Sequence, residues 1–153
     1  MNKIHKSITI HAPVEKVYKF MTNPNNLLEI WPSMVEVHKV EMKPDGWHRF
    51  DWVYKMGGLK FSGWGEATEV RPNQFVQVTN KSGIPSKFDW TYEAMGEDSK
   101  ITVDAEYTVP VPLINKLAES IIVKMNEKEA EILLANLKTR MEEAEEAKEE
   151  KVN

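Results

Sequence analysis

Apolar residues alternate with polar ones over much of the chain up to Val109, and recur at every third or fourth position beyond it. The first pattern predicts strands and the second a helix. Residues 3–11 set Ile4, Ile8 and Ile10 against His5, Ser7, Thr9 and His11, a half-buried strand. Pro13 suits the first position of a helix carrying Val14, Val17, Tyr18 and Met21. Asn23-Pro24-Asn25-Asn26 ends that helix, and a second short one is expected over 27–30, before Trp31-Pro32. Strands separated by turns follow. The segment 33–42 is β-rich with a blurred alternation, and Lys43-Pro44-Asp45-Gly46 is a strong turn. Phe50, Trp52, Tyr54 and Met56 then alternate cleanly with Arg49, Asp51, Val53 and Lys55. The inward face of 59–70 stays undecided, because Phe61, Gly63 and Gly65 alternate with Trp64 and Glu66; that of 74–79 is undecided too. Two further strands are plain: Phe88, Trp90, Tyr92 and Ala94 share one face, as do Ile101, Val103, Ala105, Tyr107 and Val109. Short turns between strands predict an antiparallel meander with one buried and one wet face.

Beyond Pro110 and Pro112 runs a helical stripe without internal Gly or Pro: Ile114, Leu117, Ile121, Met125, Leu133, Leu137 and Met141. Some 30 residues or more make about 45–55 Å of helix. On this reading Leu117, Ile121 and Met125 face the sheet. Six to seven strands span roughly 30 Å, whereas one helix is about 10–12 Å across. A flat sheet would leave half its apolar face wet, so it must curl around the helix, with Gly63 and Gly65 as bending points. The expected fold is α+β: one domain over 1–153, a curved antiparallel sheet gripping a long C-terminal helix, with two short helices after the first strand. The concave space between them is a candidate pocket.

Composition narrows the chemistry. There is no cysteine, which excludes disulfides, thiolate zinc and a cysteine nucleophile, and fits a cytoplasmic location. No apolar run approaches the ~18 residues of a membrane span, and the N-terminal segment has no signal-peptide character. The net charge of −4 resides in residues 142–153, which hold six Glu and two Lys. The preceding 141 residues carry 18 acidic and 18 basic side chains, so no basic footprint for nucleic acid is present. The Glu-rich stretch reads as a solvated helix end or a disordered tail.

The four histidines lie on strand flanks; His5 and His11 are about 20 Å apart along one strand, too far to share an ion. Glu36 and His38 lack a third ligand nearby, so neither metal nor cofactor is expected. Asp51, Asp89, Glu93, Asp104 and Glu106 alternate with apolar residues and face water. Glu66 differs from these, because the inward face of its strand is undecided; if inward, it would be a buried acid. The aromatic set Phe50, Trp52, Tyr54, Phe88, Trp90, Tyr92 and Tyr107 lies on inferred inner faces, and Trp31 and Trp64 are expected near a mouth or capping the core. Tyrosine and tryptophan need partners for O–H and N–H when buried, so a mostly apolar cavity with a few polar tips suits the group better than a plain core.

Thr9-Ile10-His11-Ala12-Pro13-Val14-Glu15-Lys16-Val17-Tyr18 resembles the entry motif of the START/Bet v 1-like superfamily. Trp31-Pro32, Lys55-Met56-Gly57-Gly58, residues 66–72, Trp90-Thr91-Tyr92-Glu93 and Asn136-Leu137-Lys138 follow in the order of its polyketide cyclase/dehydrase branch. The resemblance implies a helix-grip fold around a hydrophobic cavity. With the pocket argument and the lack of a catalytic constellation, the expected function is binding of an apolar small molecule (aromatic polyketide-like, quinone or lipid), with Trp31, Phe50, Trp52, Tyr54, Phe88, Trp90, Tyr92, Tyr107, Leu117, Ile121 and Met125 as candidate ligand-binding residues. The alternative is a cyclase, aromatase or dehydratase working in the same cavity, with Glu66, Tyr54 and Tyr92 as candidate proton carriers. A protein partner, as in relatives that assist a chaperone, is a third reading.

Overall fold

The computed structural model describes residues 1–110 and 116–152, with side chains over 1–110 and 118–150. Seven strands form one antiparallel sheet: β1 (Asn2–Ile10), β2 (Met34–Met42), β3 (His48–Met56), β4 (Leu59–Arg71), β5 (Phe75–Asn80), β6 (Ser86–Met95) and β7 (Asp98–Tyr107). Their order is β1-β7-β6-β5-β4-β3-β2, so β2 to β7 are a meander and β1 closes onto β7. Between β1 and β2 lie α1 (Val14–Met21), a 3₁₀ turn (Pro24–Asn26) and α2 (Leu27–Ile30), and α3 (Lys116–Val152) follows β7. No described helix is long and apolar enough to cross a membrane.

The two blurred segments owe their ambiguity to bulges. In β2 the pairing slips twice, between Met34 and Glu36 and between His38 and Glu41, around Lys39 at φ 51°. A bulged strand gains an extra residue, which breaks the period of two. In β4 the pairing with β5 slips between Ala67 and Glu69. Below that slip Gly65 and Ala67 are buried, with Phe61 and Gly63 on the same inner face. Gly63 and Gly65 are needed as much for space as for bending. A Cβ on Gly63 would sit 2.6 Å from the Trp52 ring, and one on Gly65 would overlap the Asn80 side chain. The sheet can therefore carry Trp52 and Asn80 flat across its concave face.

The helix is held along β1 and α2. Leu133, Leu134, Leu137 and Met141 are buried with Ile10, Val17, Ile30 and Ile101 in the core. Asn136 Nδ2 donates to the Ile30 carbonyl at 2.9 Å, and Lys6 Nζ donates to Glu131 at 3.0 Å. The backbone N–H of His11 donates to Glu142 at 3.0 Å. Beyond Met141 the described side chains are half-buried or exposed, and Lys16 pairs with Glu145 at 2.6 Å.

Two expectations for the helix need correction. Ile121 and Met125 do not face the sheet; they are 53% and 56% exposed. Residues on a helix advance about 100° each, so steps of four drift about 40° from the starting face every time. Counted back from Leu133, Met125 is turned away by about 80° and Ile121 by about 120°, whereas Asn126 and Ile122 lie within about 20°. Ile122 and Asn126 accordingly face inward, Ile122 packing on the core and Asn126 reaching Tyr107. Leu117 lies outside the residues whose side chains are described, and Ile114 outside the described residues.

Candidate functional site

The inner face of the sheet and α3 enclose a mostly apolar cavity of about 110 Å³ open to water-sized molecules. From β3 it is lined by His48, Phe50, Trp52, Tyr54 and Met56, successive inward residues of one strand. β5 adds Val76, Val78 and Asn80; β6 adds Phe88, Trp90 and Tyr92; β7 adds Val103, Ala105 and Tyr107. Asn126, Glu129, Ala130 and Leu133 close it from α3, and Met21, Leu27, Trp31 and Met34 from the short helices and β2.

Near the start of β2 and the loop end of β6, rings pack edge to face. Trp31 meets Tyr54 at 5.4 Å and Phe88 at 5.6 Å between centroids, and Phe88 stacks on Trp90 at 6.3 Å. Such pairs contribute about 0.5–1.5 kcal/mol beyond the area they bury, and they hold the aromatic wall in place. Several of its polar tips are answered within the wall. Trp31 Nε1 donates to the Tyr54 hydroxyl at 3.2 Å, and Asn126 Nδ2 to the Tyr107 hydroxyl at 3.1 Å. Trp52 Nε1 donates to Asn80 Oδ1 at 2.9 Å, and Asn80 Nδ2 to Ser86 Oγ at 3.0 Å. Glu129 accepts from the backbone N–H of Ser33 at 2.6 Å, tying α3 to the start of β2.

The opposite end is a floor built on Tyr18. Its hydroxyl donates to the Asp45 carbonyl at 2.5 Å, and its ring meets the edge of Tyr92 at 5.1 Å. Gly46, at φ 109°, passes so close to the Tyr18 ring that a Cβ there would collide with it. The Gly46 carbonyl accepts from His48 Nδ1 at 2.9 Å. A carbonyl can only accept, so Nδ1 carries the proton and Nε2 keeps its lone pair.

Burial governs the titration of these groups, because each must leave water to become charged. It pushes Tyr18 up to about 12, with the Asp45 charge adding to it, and raises Tyr54, Tyr92 and Tyr107 as well. It lowers His48, against a smaller opposing effect of the Gly46 carbonyl. A raised tyrosine contributes stability that is fully present below the unfolded value of about 10 and lost as pH rises through the folded one. His48, lowered, contributes above about pH 6.5 and loses that contribution as pH falls through its folded value. The urea midpoint should therefore fall steadily from about pH 10 to about pH 12, while phenolate absorbance of the folded protein lags behind that fall. Tyrosines that ionise near pH 10 without loss of structure would contradict this burial.

Several sequence expectations resolve here. Trp31, Phe50, Trp52, Tyr54, Phe88, Trp90, Tyr92 and Tyr107 all line the cavity. Ile121 and Met125 do not, for the helical reason above. Glu66 is no cavity acid: it lies on the outer face, 3.7 Å from Arg49, whose guanidinium in turn stacks over Trp64. Trp64 is thus neither at the mouth nor capping the core. Glycines at 63 and 65 hid which side of β4 was inward. His48, Asn80, Asn126 and Glu129 were missed. For His48 the signal was present, since counting back by two from Phe50 along the clean alternation reaches it.

A curved sheet gripping a helix over an apolar, aromatic-walled cavity defines the helix-grip class of START/Bet v 1-like proteins. The chain belongs to the polyketide cyclase/dehydrase and lipid transport family, whose sequence model matches residues 1–142. None of the curated proteins matches it in sequence. Among solved structures it is similar to TTHA0849 from Thermus thermophilus, with a TM-score of 0.79 at 20% identity, covering 93% of this chain and 98% of that one. The Zhui aromatase/cyclase from Streptomyces sp. R1128 gives 0.78 at 11% identity, covering 92% and 93%. A START superfamily protein from Mycobacterium smegmatis gives 0.72 at 16% identity, covering 94% and 99%. At these identities the likeness is one of fold.

Proposed function

We propose that the cavity binds and shields an apolar small molecule of aromatic polyketide, quinone or lipid character. The observation that carries this reading is the wall itself: aromatic rings locked by mutual packing and by hydrogen bonds among their own polar tips, around space they leave open. A wall so largely apolar recognises mainly shape and apolar area. At about 25 cal/mol per Å², a ligand burying some 300 Å² has several kcal/mol of gross driving force. Much of that is offset by immobilisation, so roughly micromolar affinity is expected.

A cyclase or aromatase reaction in the same cavity is the second reading, favoured by the likeness to the Zhui aromatase/cyclase and to the di-domain ARO/CYC BexL. In that case the cavity would act chiefly by folding a flexible chain into one reactive shape. Buried tyrosines hold their protons at neutral pH and would serve as hydrogen-bond donors rather than bases. Titrating flavonoid, quinone and fatty-alcohol probes while following amide shifts tests the binding reading. Shifts should cluster on 48–56, 76–80, 88–92, 103–107 and 126–133. No shift there at millimolar probe would overturn it. Loss of water from a poly-β-ketone surrogate, read by mass spectrometry, would favour the enzyme.

A further inference from the structure

We infer that His48 and Tyr92 form a polar floor that selects ligands bearing a hydroxyl group on an otherwise apolar body, inserted hydroxyl first. This rests on the binding reading above and specifies the chemistry of its ligand. His48 and Tyr92 are only 5% and 4% exposed, and both line the cavity. The His48 ring is held by its Nδ1–H bond to Gly46 and lies tilted beside Phe50. Among the described residues, neither its Nε2 nor the Tyr92 hydroxyl has a hydrogen-bond partner. Neither atom is sealed off, since no fully enclosed side-chain nitrogen or oxygen among the described residues lacks a partner. Tyr18 is bonded to the Asp45 carbonyl beside Gly46 and packs edge to face with Tyr92, which sets both groups at one end of the cavity. The rest of the wall differs. Trp31 donates to Tyr54, Trp52 to Asn80 and Asn126 to Tyr107, whereas the floor keeps an acceptor and a hydroxyl free.

A free acceptor and a free hydroxyl within one apolar space ask for a group that donates and accepts together. An alcohol or phenol can answer either group: its O–H can donate to Nε2, and its oxygen can accept the Tyr92 proton. An ether or ketone can only accept, which leaves Nε2 unpaired in an apolar setting. A carboxylate cannot donate and would bring a charge to a cavity whose lining holds no Lys or Arg. Buried polar groups left unpaired are what make such sites reject a close analogue lacking the hydroxyl.

The test uses the full chain with four probes of one shape: 2-naphthol, 2-methoxynaphthalene, naphthalene and 2-naphthoate. 2-Naphthol is expected to bind about tenfold more tightly than 2-methoxynaphthalene, and to move the Nε2 resonance of His48 in a long-range ¹⁵N spectrum. Tyr92→Phe, close in shape, should weaken 2-naphthol and 2-methoxynaphthalene alike, and His48→Phe should abolish the preference while naphthalene still binds. The ¹⁵N shift in the unaltered protein keeps the inference testable if either variant misfolds. Equal binding of the three neutral probes with an unmoved Nε2 would overturn the floor and leave cavity binding standing. Tightest binding of 2-naphthoate would overturn it too. Failure of all four to bind would remove the binding reading itself.

Discussion

Leu137→Ala is expected to destabilise the protein by about 3 kcal/mol, lowering the melting temperature by roughly 6–12 °C for a domain of this length. Leu137 is wholly buried, and with Leu133, Leu134 and Met141 it supplies the apolar grip of α3 on the rest of the fold. The polar ties of that helix are weaker. Lys6–Glu131 and Arg140–Glu29 join side chains that are each about a third exposed or more, and pairs of that kind are worth about 0–1 kcal/mol. Removing three carbons at Leu137 leaves a void that neighbouring strands cannot close, because β1 and β7 are pinned in register over nine paired residues. Met125→Ala on the same helix should change stability by no more than about 0.5 kcal/mol, since that side chain is turned to water. Thermal denaturation of the two variants decides the matter. Equal losses would mean that the helix is gripped on the face first expected from the sequence.

Legibility followed the regularity of the backbone. Strands β3, β6 and β7 keep a period of two without interruption, so Phe50, Trp52, Tyr54, Trp90 and Tyr107 could be placed on an inner face from their spacing alone. β2 and β4 could not, because each contains a bulge and two inward positions of β4 are glycines with no side chain to declare a face. On α3 the difficulty was angular. A stripe stepped in fours, 117, 121 and 125, looks continuous with Leu133 and Leu137, yet each step of four adds about 40° of drift. The residues that do reach the cavity there are Asn126, Glu129 and Ala130, two of them polar and the third small. Their meaning appears only once Tyr107 and Ser33 stand opposite. His48 illustrates the same point from the other side: its spacing was readable, but its fixed tautomer and free Nε2 depend on the carbonyl of Gly46, a contact made by a turn.

Ala130→Phe should separate space from packing. Ala130 sits on the inward face of α3 and lines the cavity one turn from Leu133. A phenyl ring there can enter the cavity without displacing backbone. If the space is open, the added ring replaces solvent or nothing, and stability should change by no more than about 1 kcal/mol, below the usual cost of overpacking. Affinity for a bound aromatic probe should fall at least tenfold, equivalent to about 1.4 kcal/mol, because ring and probe compete for one volume. Met125→Phe, on the exposed side of the same helix, should alter neither quantity. Calorimetric titration with the tightest probe, alongside urea denaturation of each variant, reads both effects. A loss of several kcal/mol in Ala130→Phe would mean that the wall is closed and filled. Unchanged affinity in a stable Ala130→Phe protein would place the ligand somewhere other than the space beneath the helix.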